Sequence, residues 1–245
     1  YLIILNPKSI FPNFISLRLN FNKNNYWPLK FLKQKDYLYL CHQVEDFFNF
    51  SRNFCLEMYK FENIYDVSKN VNFTDSQDIN SEKSIKIIGE TDCYYFINTG
   101  KQILKSIFDI DKKFIHIHPG YLPEVKGADG SLWHINQKDY LGVSSFFMSR
   151  KIDEGLLIAR EKLKMPKFYL KNFDKLDIKI LYRLWFSFFD PLLRGWHFKK
   201  FINKKSLFIE NSITENSKEN KNGQYFSFMN NDQLKETFDK VFLQK

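Results

Sequence analysis

The chain has 245 residues, 44 % of them hydrophobic and 18 % aromatic, enough to pack a core and to exclude wholesale disorder. Its formal charge is +9, and residues 160–205 alone hold 13 Lys/Arg against 4 Asp/Glu, so the rest of the chain is neutral. That excludes a uniformly basic protein of the histone type. Only 6 of the 37 basic residues are Arg, which argues against sequence-specific DNA reading by guanidinium forks.

Leu2–Leu5 is a short apolar run closed by Asn6-Pro7 and reads as a buried strand. It is too short for a signal peptide and lacks a charged leader, and no apolar run reaches the ~18 residues needed to span a bilayer, so a cytoplasmic location is expected. Residues 8–35 carry no clear pattern. Asp36–Cys41 reads as a strand, and Gln43–Tyr59 has helical spacing through Val44, Phe47, Phe48, Cys55 and Met58. Residues 66–83 are rich in Asn, Ser and Asp and read as irregular. Cys41, Cys55 and Cys93 lack CxxC spacing and read as reduced thiols, neither a disulfide framework nor a zinc knuckle.

The middle of the chain is clearer. Cys93–Asn98 reads as a strand and Gln102–Phe108 as a short helix. Lys113–His118 is a second strand, stopped by Pro119-Gly120, and Gly142–Ser149 and Leu156–Leu163 are two more. Strands alternating with short helices predict an α/β fold with a Rossmann-like, mostly parallel sheet flanked by helices. This core occupies residues 1–166. Residues 167–245 form a small α+β extension, basic and aromatic, in which Leu181, Leu184, Trp185 and Phe188 make a helical stripe that reads as packing core. Asp190-Pro191 marks the junction of two helices, since proline suits a first turn. Residues 212–222 read as a loop, Tyr225–Phe228 as a short strand, and Asp232–Phe242 as the last helix.

Chemistry concentrates in residues 114–130, FIHIHPGYLPEVKGADG. Alternate side chains of a strand share a face, so His116 and His118 point the same way, at the carboxyl end where open α/β sheets place their ligands. Such a pair can be two metal ligands, two histidines satisfied by structural neighbours, or part of a catalytic site. The last reading needs a second ionisable group, and Asp153, in the turn between two strands, offers a carboxylate.

Three segments in order resemble the formyltransferases that use N10-formyltetrahydrofolate. The family pattern is Asn-x-His-Pro, then Leu-Pro-x-x-(Arg/Lys)-Gly, then an Asp-x-Gly turn about 35 residues on. This chain reads His116-Ile117-His118-Pro119, Leu122-Pro123-Glu124-Val125-Lys126-Gly127 and Asp153-Glu154-Gly155, with 35 residues from His118 to Asp153. The resemblance covers about residues 92–166 and implies the formyltransferase fold. It implies His118 as the catalytic histidine, Asp153 as its carboxylate partner, and His116 in the place of the family Asn that donates to the oxyanion. It also implies a folate pocket formed by Gln102, Ile103 and Leu104 with Met148, Ser149, Arg150, Lys151 and Ile152. The loop residues Tyr121, Leu122, Pro123, Lys126 and Gly127, with Trp133, would face the acceptor. The chemistry implied is attack of a primary amine on the formyl carbon of N10-formyltetrahydrofolate.

Within the family, the short tail, Trp133, and the segments Asp190-Pro191-Leu192-Leu193-Arg194 and Gly223-Gln224-Tyr225-Phe226 are most similar to the nucleotide-sugar N-formyltransferases. The implied acceptor is a nucleotide-linked amino sugar destined for a surface polysaccharide such as O-antigen, and no metal or DNA partner is expected. Two alternatives stay open: a methionyl-tRNA formyltransferase-like enzyme, and a catalytically weakened relative that binds RNA or an anionic membrane through residues 160–205. A homodimer is compatible with each.

Overall fold

The computed structural model of the protein describes residues 2–5, 13–16, 32–57, 71–73, 76, 78–98, 102–203 and 223–243. The loop expected at 212–222 lies outside these residues. Among the described residues a seven-stranded sheet forms the centre of the molecule. Its strands are β1 (Leu2–Leu5), β2 (Asn13–Ser16), β3 (Val71–Phe73), β4 (Tyr95–Asn98), β5 (Lys113–His118), β7 (Tyr140–Phe147) and β8 (Leu156–Lys164), in the spatial order β3-β2-β1-β4-β5-β7-β8. The strand β6 (Val125–Gly127) lies outside this sheet.

The α/β class stands, but the sheet is mixed where a mostly parallel one was expected. Only β2·β3 and β4·β5 run parallel, while β1·β2, β1·β4, β5·β7 and β7·β8 are antiparallel. The β7–β8 connection is a short turn rather than a helical crossover, which forces the antiparallel pairing. The parallel β4·β5 pair sets Asn98 opposite His116, so both strands deliver polar side chains to the same end of the sheet.

Three other expectations change. The strand expected at Asp36–Cys41 is the first part of helix α1 (Gln34–Phe48), because Tyr37, Cys41, Val44 and Phe48 follow helical spacing and are all buried. The irregular stretch at 66–83 contains β3. The helix expected at Gln102–Phe108 shrinks to one 3₁₀ turn, Ser106–Asp109, because residues 102–105 bond to a different segment. Ile79 N–H donates to Gln102 Oε1 at 2.9 Å, Asn80 Nδ2 donates to Ile103 O at 3.0 Å, and Lys105 N–H donates to Asn80 Oδ1 at 2.6 Å.

After the core helices α2 (Phe54–Glu57), α3 (Glu82–Gly89) and α4 (Gly130–Gln137), the tail adds strand β9 (Phe168–Tyr169), helices α5 (Ile178–Leu184) and α6 (Asp190–Asn203), strand β10 (Gln224–Phe226), helix α7 (Asn231–Val241) and strand β11 (Phe242–Leu243). A π-helical turn, Trp185–Phe189, links α5 to α6 without a break. Pro191 has no N–H to donate back to the preceding turn, so a widened turn just before it is the expected accommodation. Leu181, Leu184, Trp185 and Phe188 are buried, as their stripe predicted, in a cluster that also holds Tyr37, Leu132 and Phe238. Residues on both sides of Pro166 therefore share one apolar core. The tail also pairs in parallel with the loop after β5, Tyr225 opposite Lys126 in the β10·β6 ladder. Cys41, Cys55 and Cys93 are buried free thiols. No helix among the described residues is long and apolar enough to cross a membrane.

Candidate active site

His118, the last residue of β5, is 2 % exposed and lies between two acceptors. Its Nε2 is 2.9 Å from Val125 O, and its Nδ1 is 3.8 Å from Asp153 Oδ2. The carbonyl requires a hydrogen on Nε2, which leaves Nδ1 as the nitrogen on the carboxylate side. Asp153, itself 8 % exposed, has a φ of 51° and is fixed by the Gly127 N–H, which donates to Oδ2 at 2.7 Å. The buried Lys126 pairs with Glu154 at 3.2 Å and ties the same turn to β6. The 35-residue spacing in sequence is thus closed in space by the turn between β7 and β8.

Two cavities flank this pair. The first, about 170 Å³, is lined by all eight residues expected for the folate pocket, Gln102–Leu104 and Met148–Ile152, with Asn98, His116, Phe146 and Asp153. Its rim carries two outward-facing apolar side chains, Ile103 at 56 % and Ile152 at 47 % exposure. Arg150 is tied across its edge to Asp109. The second cavity, about 270 Å³, lies on the other side of His116 and includes His118, Asp129, Asp190, Arg194, Trp185 and Phe186 in its lining. Phe228, 72 % exposed, stands at its mouth. His116, Ile152 and Asp153 line both cavities and form the junction between them.

His116 is held differently from His118. Its Nδ1 is 3.3 Å from Asn98 O, and its Nε2 is 3.5 Å from Arg194 Nη1. A carbonyl on one side and a guanidinium on the other select the neutral Nδ1–H tautomer. Burial, and then the Arg194 charge, push the His116 pKa down to about 3. The folded chain therefore resists a proton that the unfolded chain accepts below an ordinary histidine value near 6.5. Stability contributed this way is full above that value and falls as pH drops toward 3, by up to ~1.4 kcal/mol per pH unit. Urea unfolding between pH 7 and 4 checks this: the stability of His116→Asn falls less steeply than wild type, by up to about one proton's worth of slope.

The loop residues expected to face the acceptor divide. Gly127 lines the second cavity, whereas Tyr121, Leu122, Pro123, Lys126 and Trp133 line neither. Packing accounts for Leu122, Tyr121 and Trp133, while Lys126 is held by its ion pair with Glu154. Leu122 is buried beside Phe146 and Leu157, and Pro123 follows it through a cis peptide bond. Tyr121 lies beneath the cations of Arg160 and Lys162, at 4.7 and 4.5 Å from its ring centre. Trp133 stacks near Phe226 at 4.6 Å and donates from Nε1 to Ser227 O. They brace the loop rather than contact the cavities.

Sequence reasoning missed Asn98, Asp129, Asp190, Arg194, Phe186 and Phe228 as lining residues. One signal was present: Asp190 and Arg194 stand four apart on a helix, and their side chains pair at 2.8 Å. Asp129 is held by the Tyr182 hydroxyl at 2.7 Å and the Met229 N–H at 3.0 Å, and burial pushes its carboxyl pKa up.

No protein-family model and no curated protein matches the chain. Among solved structures it is similar to a sugar N-formyltransferase from Shewanella sp., with 19 % identity and a TM-score of 0.41 over 67 % of this chain and 59 % of that one. It is similar to a methionyl-tRNA formyltransferase from Clostridium thermocellum, with 13 % identity and a TM-score of 0.43 over 85 % and 78 % of the two chains. HypX from Aquifex aeolicus, in complex with tetrahydrofolic acid, gives 14 % identity and a TM-score of 0.39 over 66 % and 25 %. The chain spans less than two thirds of the length of the sugar N-formyltransferase and of HypX. Solved structures that this chain is similar to include formyltransferases of the sugar and methionyl-tRNA type, and HypX.

Proposed function

We propose that the chain moves a formyl group from N10-formyltetrahydrofolate, seated in the first cavity, to the primary amine of an amino sugar in the second. The observation that carries this reading is that Asp153 lines both cavities and stands 3.8 Å from Nδ1 of His118, which lines the second. The donor supplies an activated formyl carbon. The first cavity suits it: the apolar sides of Ile103 and Ile152 and the buried Leu104 match the faces of a flat pterin ring.

In the transfer, a bond forms between the amine nitrogen and the formyl carbon, and the bond from that carbon to the folate nitrogen breaks. The amine loses one proton and the folate nitrogen gains one. His118 takes up the amine proton at Nδ1 while its Nε2–H stays on Val125 O. The Asp153 carboxylate, fixed by the Gly127 N–H, stabilises the resulting imidazolium, which then passes the proton to the departing folate nitrogen. Phe186 and Phe228 offer aromatic faces to a base in the second cavity, so a nucleotide-linked sugar is the acceptor class we favour.

Mixing the protein with N10-formyltetrahydrofolate and a panel of nucleotide-linked amino sugars tests this, with release of tetrahydrofolate expected only when an amine is present. Salt-sensitive binding to RNA or anionic vesicles without turnover would instead favour a binding module. Placing a charge at the cavity rim, as in Ile152→Asp, is expected to raise the KM for the folate donor about tenfold, the equivalent of ~1.4 kcal/mol. Steady-state kinetics with varied donor measures it.

A further inference from the structure

The helix of the basic tail places one cation at the heart of the second cavity. Arg194 is the only Lys or Arg among the described residues that line it. Its guanidinium is fixed on two edges: Nε donates to Asp190 Oδ2 at 2.8 Å, and Nη1 donates to Ile117 O at 2.7 Å. Asp190 is in turn anchored, because Ser131 Oγ donates to its Oδ1 at 3.0 Å and Trp185 Nε1 donates to that hydroxyl at 2.9 Å. Asp190, Ser131 and Trp185 are buried, so the cation is held by a chain of bonds running from the core.

His116, beside it, has nothing left to offer a negative oxygen. Its Nδ1–H points at Asn98 O, and its Nε2 is the lone-pair nitrogen facing Arg194 Nη1. The carboxylates around the junction are committed elsewhere: Asp153 to the Gly127 N–H and the His118 side, Asp129 to Tyr182 and Met229, and Asp190 to Ser131 and Arg194. Charge that develops where the cavities meet therefore has one pre-oriented positive group to meet it, and a fixed cation in a partly desolvated site is effective because it needs no reorganisation during the reaction.

We infer that the Arg194–His116 pair works as a unit, with Arg194 fixing the Nδ1–H tautomer of His116 and supplying the positive charge at the junction. The inference rests on the formyl-transfer reading and deepens it, since it assigns to a residue of the tail an electrostatic task at the reaction centre.

Two measurements on the full chain test it together. Turnover is compared for wild type, Arg194→Gln, Arg194→Lys, His116→Asn and the Arg194→Gln/His116→Asn double variant. Nitrogen NMR of the His116 imidazole is recorded for wild type and Arg194→Gln across pH 4 to 8. Arg194→Gln is expected to lower kcat about 10²-fold with the KM for the folate donor unchanged, the scale of losing one pre-oriented donor. Arg194→Lys should recover part of the loss, and the double variant should lose less than the product of the two singles. The wild-type imidazole should be protonated at Nδ1 and neutral down to pH 5, and the Arg194→Gln imidazole should titrate at higher pH. Arg194→Gln within threefold of wild type, or Gln and Lys variants losing kcat equally along with thermal stability, overturns the inference. So does an Nε2–H tautomer in wild type. Absence of turnover in wild type, with the Nδ1–H tautomer confirmed, instead sinks the formyl-transfer reading and leaves the Arg194–His116 geometry standing.

Discussion

His118→Asn and Asp153→Asn each lower formyl transfer by about 10²–10⁴-fold, the range spanned by a positioned acid–base group. The Asn at 118 keeps a polar side chain beside Val125 O but has no nitrogen that can take up the amine proton. At 153 the swap keeps size and the bond from the Gly127 N–H, and removes the negative charge that the imidazolium needs. Because the two side chains act as one unit, the double variant should lose little more than the worse single. Thermal melts run beside the kinetics separate this from unfolding, since neither variant opens a large cavity. Retained turnover in both variants would sink the assignment of the site.

The second large effect is structural. A Cβ built on Gly155 lies 1.6 Å from Phe147 O, a backbone atom that cannot swing aside. Gly155 sits between the Asp153 turn and the start of β8, where Leu156 pairs with Phe147. Gly155→Ala must therefore push the turn off β7, with a cost of ~1–3 kcal/mol or more and a fall in Tm of ~2–4 °C for each kcal/mol. Activity should drop as well, because the same movement carries Asp153 away from His118. A methyl at Gly195, in α6, meets no atom within 4 Å outside its own helix, so Gly195→Ala serves as the control and should stabilise the chain by ~0.5–1 kcal/mol. Calorimetry of the two variants checks both signs; an unchanged Tm for Gly155→Ala would contradict the packing at the turn.

Much of the site was legible because it is written locally. Strand periodicity put His116 and His118 on one face, and their ring centres stand 6.4 Å apart on that face. The residues expected to form a folate pocket fall in two short segments, one after β4 and one after β7, which the sheet brings together around one cavity. What escaped depended on tertiary partners. The run from Tyr37 to Cys41 alternates well enough to imitate a strand, and only burial of Val44 and Phe48 on the same side selects a helix. Strand direction has no local signature in short apolar runs, so the antiparallel β5·β7 pair was invisible, whereas the short turn around Asp153 already implied the antiparallel β7·β8 pair. Gln102–Leu104 looked helical because nothing in the local pattern reveals that Asn80 takes its backbone bonds. Arg194 reaches His116 across 78 positions, a contact set by how the tail packs rather than by any motif.

The charge distribution takes on structure too. Within the basic segment, Arg194 turns into the second cavity, while Lys162 pairs with Glu124, Lys200 pairs with Glu161, and Arg160 donates to Leu122 O. Some of the excess is thus used to hold the sheet and the loop after β5, and among the described residues one cation of the segment faces the second cavity.

The central claim is that the junction of the two cavities passes a formyl group from folate to an amine. A single-turnover reaction with donor carrying ¹³C in the formyl group tests it most directly, with the protein in excess and a nucleotide-linked amino sugar as acceptor. The account predicts that the label appears as an N-formyl amide on the acceptor, with one tetrahydrofolate released per formyl transferred, in wild type and not in His118→Asn. Label recovered as free formate at the same rate with and without amine, or donor left unconsumed by the folded protein with every amine acceptor offered, would contradict it.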